Sequence, residues 1–260
     1  MLPFFFGADS HQMFGILHPR PEGVAARRGI VLCNGFGREA VQLRRLIRVL
    51  AERLSRDGCD VLRFDYYGSG DSAGDDLDAD LDVWSSDLLC AHQELVQRSG
   101  NTHATWVGFR AGTSVCESAA KSVPAGLRKL ILVDPIVDGR EYLDHMRTQL
   151  YRYLNLQHLP PSTDFRDDPA FLMDEGLGFA MSQRLCEQLR GLRFAAPAVP
   201  IATTVLCDAQ LPQGQRIKAA CVHAGPHVRI VDVTHGRDWT GQTTPPALLK
   251  KLVEEAGSAL

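Results

Sequence analysis

Short apolar runs rich in valine, isoleucine and leucine recur along this chain, and helical patterns separate most of them. The runs are GIVLCNG (29–35), DVLRFDY (60–66), ATWVGF (104–109), KLILVD (129–134), PIATTVLCDA (200–209) and VRIVDVTH (228–235). Their length and β-branching predict strands buried on both faces. After the first run, Leu43, Leu46, Ile47, Leu50 and Leu54 fall at helical spacing. Trp84 to Val96, Ala111 to Lys121 and residues 246–256 read as further helices. A parallel strand pair needs a long crossover, usually a helix. The alternation therefore predicts an α/β protein with a mostly parallel sheet and helices on both faces.

The alternation stops between 138 and 198. There Tyr142, Met146, Leu150 and Tyr153 have helical spacing, and Pro160–Pro161 breaks the pattern. We read a core made of 1–137 and 199–260, with 138–198 inserted as a helical lid over the strand ends. PFFFG and MFGILHP near the start read as a hairpin on the sheet edge. A chain of 260 residues buries roughly three quarters of its unfolded surface, so it needs no disulfide or metal to hold together. The net charge of −3 gives no reason to expect nucleic acid or an anionic membrane as partner. Seven scattered cysteines without a C-x-x-C pair suggest free thiols in a reducing compartment. The first residues lack the basic and long apolar regions of a signal peptide, and no run approaches 18 apolar residues. A cytoplasmic protein of bacterial type is expected, with a small-molecule partner and a homodimer left open.

Several motifs have plain readings. GSGDSAG (68–74) follows a strand, but its third glycine falls one residue late for a dinucleotide fingerprint. The acidic run Asp75, Asp76, Asp78, Asp80 and Asp82 lacks the glycine and glutamate of an EF-hand loop. It suits the approach to a helix N-terminus, where carboxylates favour the dipole. Arg44, Arg45, Arg48 and Arg53 lie mostly off the leucine stripe and read as a solvated face. Neither a metal nor a cofactor is expected.

GFRAG (108–112) carries the chemistry. Strand, sharp glycine turn and helix describe a nucleophile elbow, G-x-S-x-G, with Arg110 where the serine should stand. Either the elbow has decayed and Arg110 is tolerated, or Arg110 is a fixed cation matched to a carboxylate or phosphate. His235 closes the 228–235 run, and Asp208 lies 27 residues earlier at the end of another. Asp134 is the rival acid for His235. The backbone N–H groups of Phe36, in Asn34-Gly35-Phe36-Gly37, and of Ala111 stand where an oxyanion hole would need them. Ser114, Cys116, Cys33, Ser69 and Ser72 are poor substitutes for the missing nucleophile. The first is expected to face helix packing, the cysteines to be buried, and the last two to follow a different strand.

NGFG, RFDYYGSGDSAG and GFRAG, met in this order, resemble the α/β-hydrolase superfamily, serine-aminopeptidase-like branch, over nearly the whole chain. GFRAG, DPIVDGREYL (134–143) and GFAMSQRLCEQLRGL (178–192) are similar to the hydrolase 2 proteins associated with exosortase A systems, and that resemblance implies an elbow arginine. The superfamily resemblance implies an eight-stranded sheet, a lid, and ester, thioester or amide chemistry. It implies His235 and Asp208 as triad positions and Phe36 and Ala111 as oxyanion donors. It supplies no nucleophile, because Arg110 occupies that place.

Two functions fit. In the first, an enzyme works without a covalent intermediate. His235, oriented by Asp208, activates water, and Arg110 holds an anionic group of an acyl substrate, with Asn34, Tyr142 and Met146 lining the site. Retention of His235, Asp208 and both glycines favours this reading. In the second, a pseudo-hydrolase binds an acyl or anionic ligand, or a partner protein, without turnover.

Overall fold

The computed structural model describes residues 1–25, 28–122, 124–156, 178–236 and 245–257. Eight strands form one sheet: β1 (Leu2–Phe6), β2 (Met13–His18), β3 (Gly29–Cys33), β4 (Asp60–Phe64), β5 (Ala104–Phe109), β6 (Leu127–Val133), β7 (Ala202–Cys207) and β8 (Val228–Asp232). Their order is β1-β2-β4-β3-β5-β6-β7-β8. The β1–β2 hairpin is antiparallel and joins β4 antiparallel; every other pairing is parallel. The eight-stranded, mostly parallel α/β architecture read from the sequence is what the chain adopts.

Seven α-helices accompany the sheet among the described residues: α1 (Gly37–Arg56), α2 (Leu81–Ser99), α3 (Ala111–Ala120), α4 (Gly139–Leu156), α5 (Gln183–Gly191), α6 (Pro212–Ala220) and α7 (Pro246–Gly257). On one face, α1 and α7 bury Leu43, Leu46, Ile47, Leu50, Leu54 and Leu252. Those α1 residues are the stripe seen in the sequence, and Arg44, Arg45, Arg48 and Arg53 are exposed on its far side. On the other face, α2, α3 and α6 bury Leu88, Leu95, Val115 and Ile217 against the sheet.

The helix and strand limits move for local reasons. α2 starts three residues before Trp84 because the Asp80 carboxylate accepts the N–H groups of Asp82 (2.8 Å) and Val83 (2.9 Å), a side-chain N-cap. Upstream, Asp75 and Asp78 form a capping box around a single 3₁₀ turn. The acidic run thus serves helix starts. β4 ends at Phe64, two residues short of the expected run, and β8 ends at Asp232. The Val233 N–H still donates to the Cys207 carbonyl at 2.9 Å, and Thr234 and His235 beyond it are left for the turn described below.

Within 138–198, α4 and α5 pack on one another and α5 reaches α2, where the Leu81 N–H donates to Gln188 Oε1 at 2.8 Å. The Tyr153 side chain, His158 and Pro160–Pro161 lie outside the described residues.

Candidate functional site

Five of the residues singled out in the sequence leave the sheet at the carboxyl ends of its strands, whereas Tyr142 and Met146 lie on α4. Asn34 follows β3, Arg110 follows β5, Asp134 follows β6, and Asp208 and His235 follow β7 and β8. That edge is where open α/β sheets hold their ligands.

The elbow is real. Arg110 has φ 51° and ψ −118°, a conformation that costs about 1–3 kcal/mol for a residue with a side chain. The turn is tight enough to require both glycines. A Cβ on Gly112 would lie 2.3 Å from the Asn34 carbonyl oxygen, and one on Gly108 would lie 2.6 Å from the Gly112 carbonyl oxygen. The Arg110 N–H donates to the Val133 carbonyl at 3.1 Å. At the neighbouring strand end Asp134 also has positive φ, 49°.

The side chain of Arg110 is buried, with 9% exposure. Its Nε donates to Glu39 Oε1 at 3.0 Å, and its Nη1 donates to Asp134 Oδ2 at 3.1 Å and to the Asp134 carbonyl at 2.9 Å. Tyr142, from α4, donates its hydroxyl to Glu39 Oε2 at 2.9 Å, and its ring centre lies 5.6 Å from the guanidinium carbon. Gln213 donates to Asp134 Oδ1 at 3.3 Å. Burial opposes the charge on Arg110, but Glu39 and Asp134 outweigh it and raise its pKa above the ordinary arginine value. Burial, then Glu39, raises the Tyr142 phenol well above its usual range, so it stays a donor. One cation and two carboxylates therefore close on themselves at the turn between β5 and α3.

The expected oxyanion segments lie against one another, since the Gly112 turn abuts Asn34. Ala111 opens α3 and Phe36 caps α1, so both amides lie at helix N-termini where the ladder leaves N–H groups without intrahelical acceptors. Asn34 itself braces that loop, donating to the Ala40 carbonyl at 3.2 Å and accepting the Gly35 N–H at 2.8 Å. Phe36 packs its ring on Trp84 and Phe179. Tyr142 and Met146 are buried in the core of that face, the Tyr142 hydroxyl being committed to Glu39.

Asp208 meets His235 through the backbone. Its Oδ2 accepts the N–H groups of His235 and Gly236, both at 3.0 Å, and its Oδ1 accepts that of Gln210 at 3.0 Å. The His235 Nδ1 lies 2.8 Å from the Gly236 carbonyl. Burial pushes the Asp208 pKa up, but the Gly236, His235 and Gln210 amides prevail and hold it below the ordinary carboxylate range. A depressed folded pKa gives stability that is fully present above the unfolded value near about 3.9 and is lost as pH falls through the folded value. Asp208→Ala should lower stability by about 1–3 kcal/mol at pH 7, through three amides losing their acceptor. The loss should shrink toward the acid end of a series of denaturant titrations.

A family model described as serine aminopeptidase, S33, matches residues 25–175, more than half of the chain. The chain belongs to that family. No curated protein matches the sequence significantly. Solved structures agree on the fold. The chain is similar to the proline iminopeptidase of Mycobacterium smegmatis, at 15% identity and TM-score 0.65, over 98% of this chain and 97% of that one. It is similar to Est1E of Butyrivibrio proteoclasticus with ferulic acid bound, at 17% identity and TM-score 0.64, over 98% and 96%. The esterase EaEST of Exiguobacterium antarcticum gives 15% identity and TM-score 0.63, over 98% and 97%. At these identities the likeness establishes the α/β-hydrolase fold. Among the described residues of this family member, no helix is long and apolar enough to cross a membrane.

The sequence reading missed Glu39 and Gln213. Glu39 lies in the first turn of α1 on a face that the leucine stripe leaves unmarked. A glutamate there reads as a dipole-favouring surface residue. Only the folded chain brings it to Arg110, 71 positions away.

Proposed function

We propose that this S33-family chain is a pseudo-hydrolase: it keeps the elbow and the strand-end residues as a framework and carries out no acyl-enzyme chemistry. The observation that carries this reading is the closed cluster of Arg110 with Glu39 and Asp134. A guanidinium matched by two carboxylates offers little to a substrate anion, so the anionic-group anchor becomes the weaker proposal. The resemblance to the exosortase-associated hydrolase 2 proteins, a cytoplasmic location and a lid role for 138–198 belong to the same proposal.

One observation favours the second reading, in which His235 activates water. A proton on Nδ1, donated to the Gly236 carbonyl, leaves Nε2 as the basic nitrogen. A carbonyl gives an imidazolium less support than a carboxylate would, so the expected rate gain lies at the low end of about 10²–10⁴-fold for general-base catalysis.

A fluorophosphonate probe and a panel of p-nitrophenyl esters separate these. The native protein is expected to remain unlabelled and to hydrolyse no ester above buffer rate. Turnover that disappears in His235→Ala would establish the water-activating enzyme instead, and labelling would mean that a nucleophile has been misplaced.

A further inference from the structure

A crevice of about 720 Å³ opens on the α2–α3–α6 face, away from Arg110. α3 forms one wall, presenting Ser114, Glu117, Ser118 and Lys121, positions that share one helix side. The opposite wall is the extended strap Phe194-Ala-Ala-Pro-Ala-Val-Pro200, tied down where Phe194 N–H donates to the Val137 carbonyl at 3.1 Å. Leu130 and Ile136 contribute to the lining. Ser114 faces this space, which corrects the expectation that it turns into helix packing.

The volume is that of a small-molecule site, and apolar walls with a few convergent polar groups are the usual composition. Glu117 is the distinctive group. Among the described residues its carboxyl makes no hydrogen bond or ion pair. The other charges facing the crevice are engaged or exposed. Asp82, from α2, binds Arg184 and Gln188. Arg193, at the start of the strap, binds Asp138. Lys121 sits one turn further along α3 and is exposed. From the α6 side comes the Cys221 thiol, whose pKa burial, then Glu117, raises. Two prolines remove N–H donors from the strap, and the two serine hydroxyls accept as well as donate. Hydroxyl and carbonyl acceptors thus lie around one acid that makes no hydrogen bond or ion pair among the described residues, with Lys121 as the lining cation that acts on it.

We infer that this crevice binds a primary amine with an apolar body, its ammonium on Glu117 and its chain against the strap. An ammonium has three donors and no acceptor, which complements such a surface. Burial pushes the Glu117 pKa up to about 7, with Lys121 opposing. The carboxylate is thus scarce at pH 6 and prevalent at pH 8, while an alkylammonium stays charged throughout.

The test is titration calorimetry with n-octylamine, n-octanoate and n-octanol on the full chain. Octylamine is expected to bind saturably, and about tenfold more tightly at pH 8 than at pH 6. Octanoate and octanol should bind at least about tenfold more weakly at pH 8. Glu117→Gln should abolish the pH dependence and most of the affinity. Ala196→Trp, which fills the crevice with Glu117 intact, should abolish binding while the melting temperature of each variant shows that it has folded. Carbon-13 NMR of the Glu117 carboxyl should show its pKa falling on saturation with octylamine. Octanoate or octanol binding as tightly, Glu117→Gln binding octylamine unchanged, or no saturable binding would each overturn the inference. The readout is binding, so the result stands apart from whether the elbow pole turns over an ester.

Discussion

Arg110→Ala is expected to lower folding stability by about 3–5 kcal/mol, measured by urea or guanidinium titration at neutral pH. Removing one member of a buried ion pair leaves the opposite charges uncompensated. Here the remainder is two carboxylates, Glu39 and Asp134, that converge on one vanished cation. Arg110→Ser should behave in the same way and gain no esterase activity, since the same two carboxylates then flank the new hydroxyl. Arg110→Gly separates the two terms. Glycine adopts positive φ freely, so this variant should be more stable than Arg110→Ala by about 1–2 kcal/mol, the strain held at φ 51°. Adding Glu39→Gln and Asp134→Asn to Arg110→Ala should recover most of the loss, because neutral amides need no countercharge. Equal stability of Arg110→Ala and the wild type would show that the cluster contributes nothing.

Gly112→Ala should be nearly as damaging. The new Cβ would meet the Asn34 carbonyl at 2.3 Å and the Cys33 carbonyl at 2.6 Å. Both are backbone atoms at the end of a central strand, so no side chain can swing away. Overpacking of this kind costs about 1–3 kcal/mol, and the rigid neighbours place it at the upper end. The melting temperature should fall accordingly. A variant that melts with the wild type would mean that α3 shifts on β3 without resistance. The prediction holds whether or not the protein is an enzyme, because the turn is a packing element between β3, β5 and α3.

The fold was legible because it is written in local signals. The leucine stripe of α1 and the β-branched runs that became β3, β5 and β6 need no tertiary information. Strand ends were less legible. The β8 run extends through Val233 and Thr234 in pattern; the Val233 N–H still pairs with the Cys207 carbonyl, and beyond it the His235 N–H turns to Asp208. Elbow geometry could be read from two glycines at fixed spacing. The state of its charge could not, because Glu39, Asp134 and Tyr142 come from three separate elements. The sequence sets Asp208 beside His235, and in the structure the carboxylate accepts the His235 and Gly236 N–H groups; a sequence cannot tell a carboxylate that holds an imidazole from one that holds two amides.

Tyr142 joins α4 to the cluster at the elbow, and this shapes how α4 could part from the sheet. Withdrawal would strip Glu39 of its phenol donor and admit water to a guanidinium and two carboxylates. Those ions are solvated well, so the parted arrangement recovers part of what the lost apolar contacts gave. An all-hydrocarbon seam in that place would gain no such solvation, so parting α4 from this one would cost less free energy.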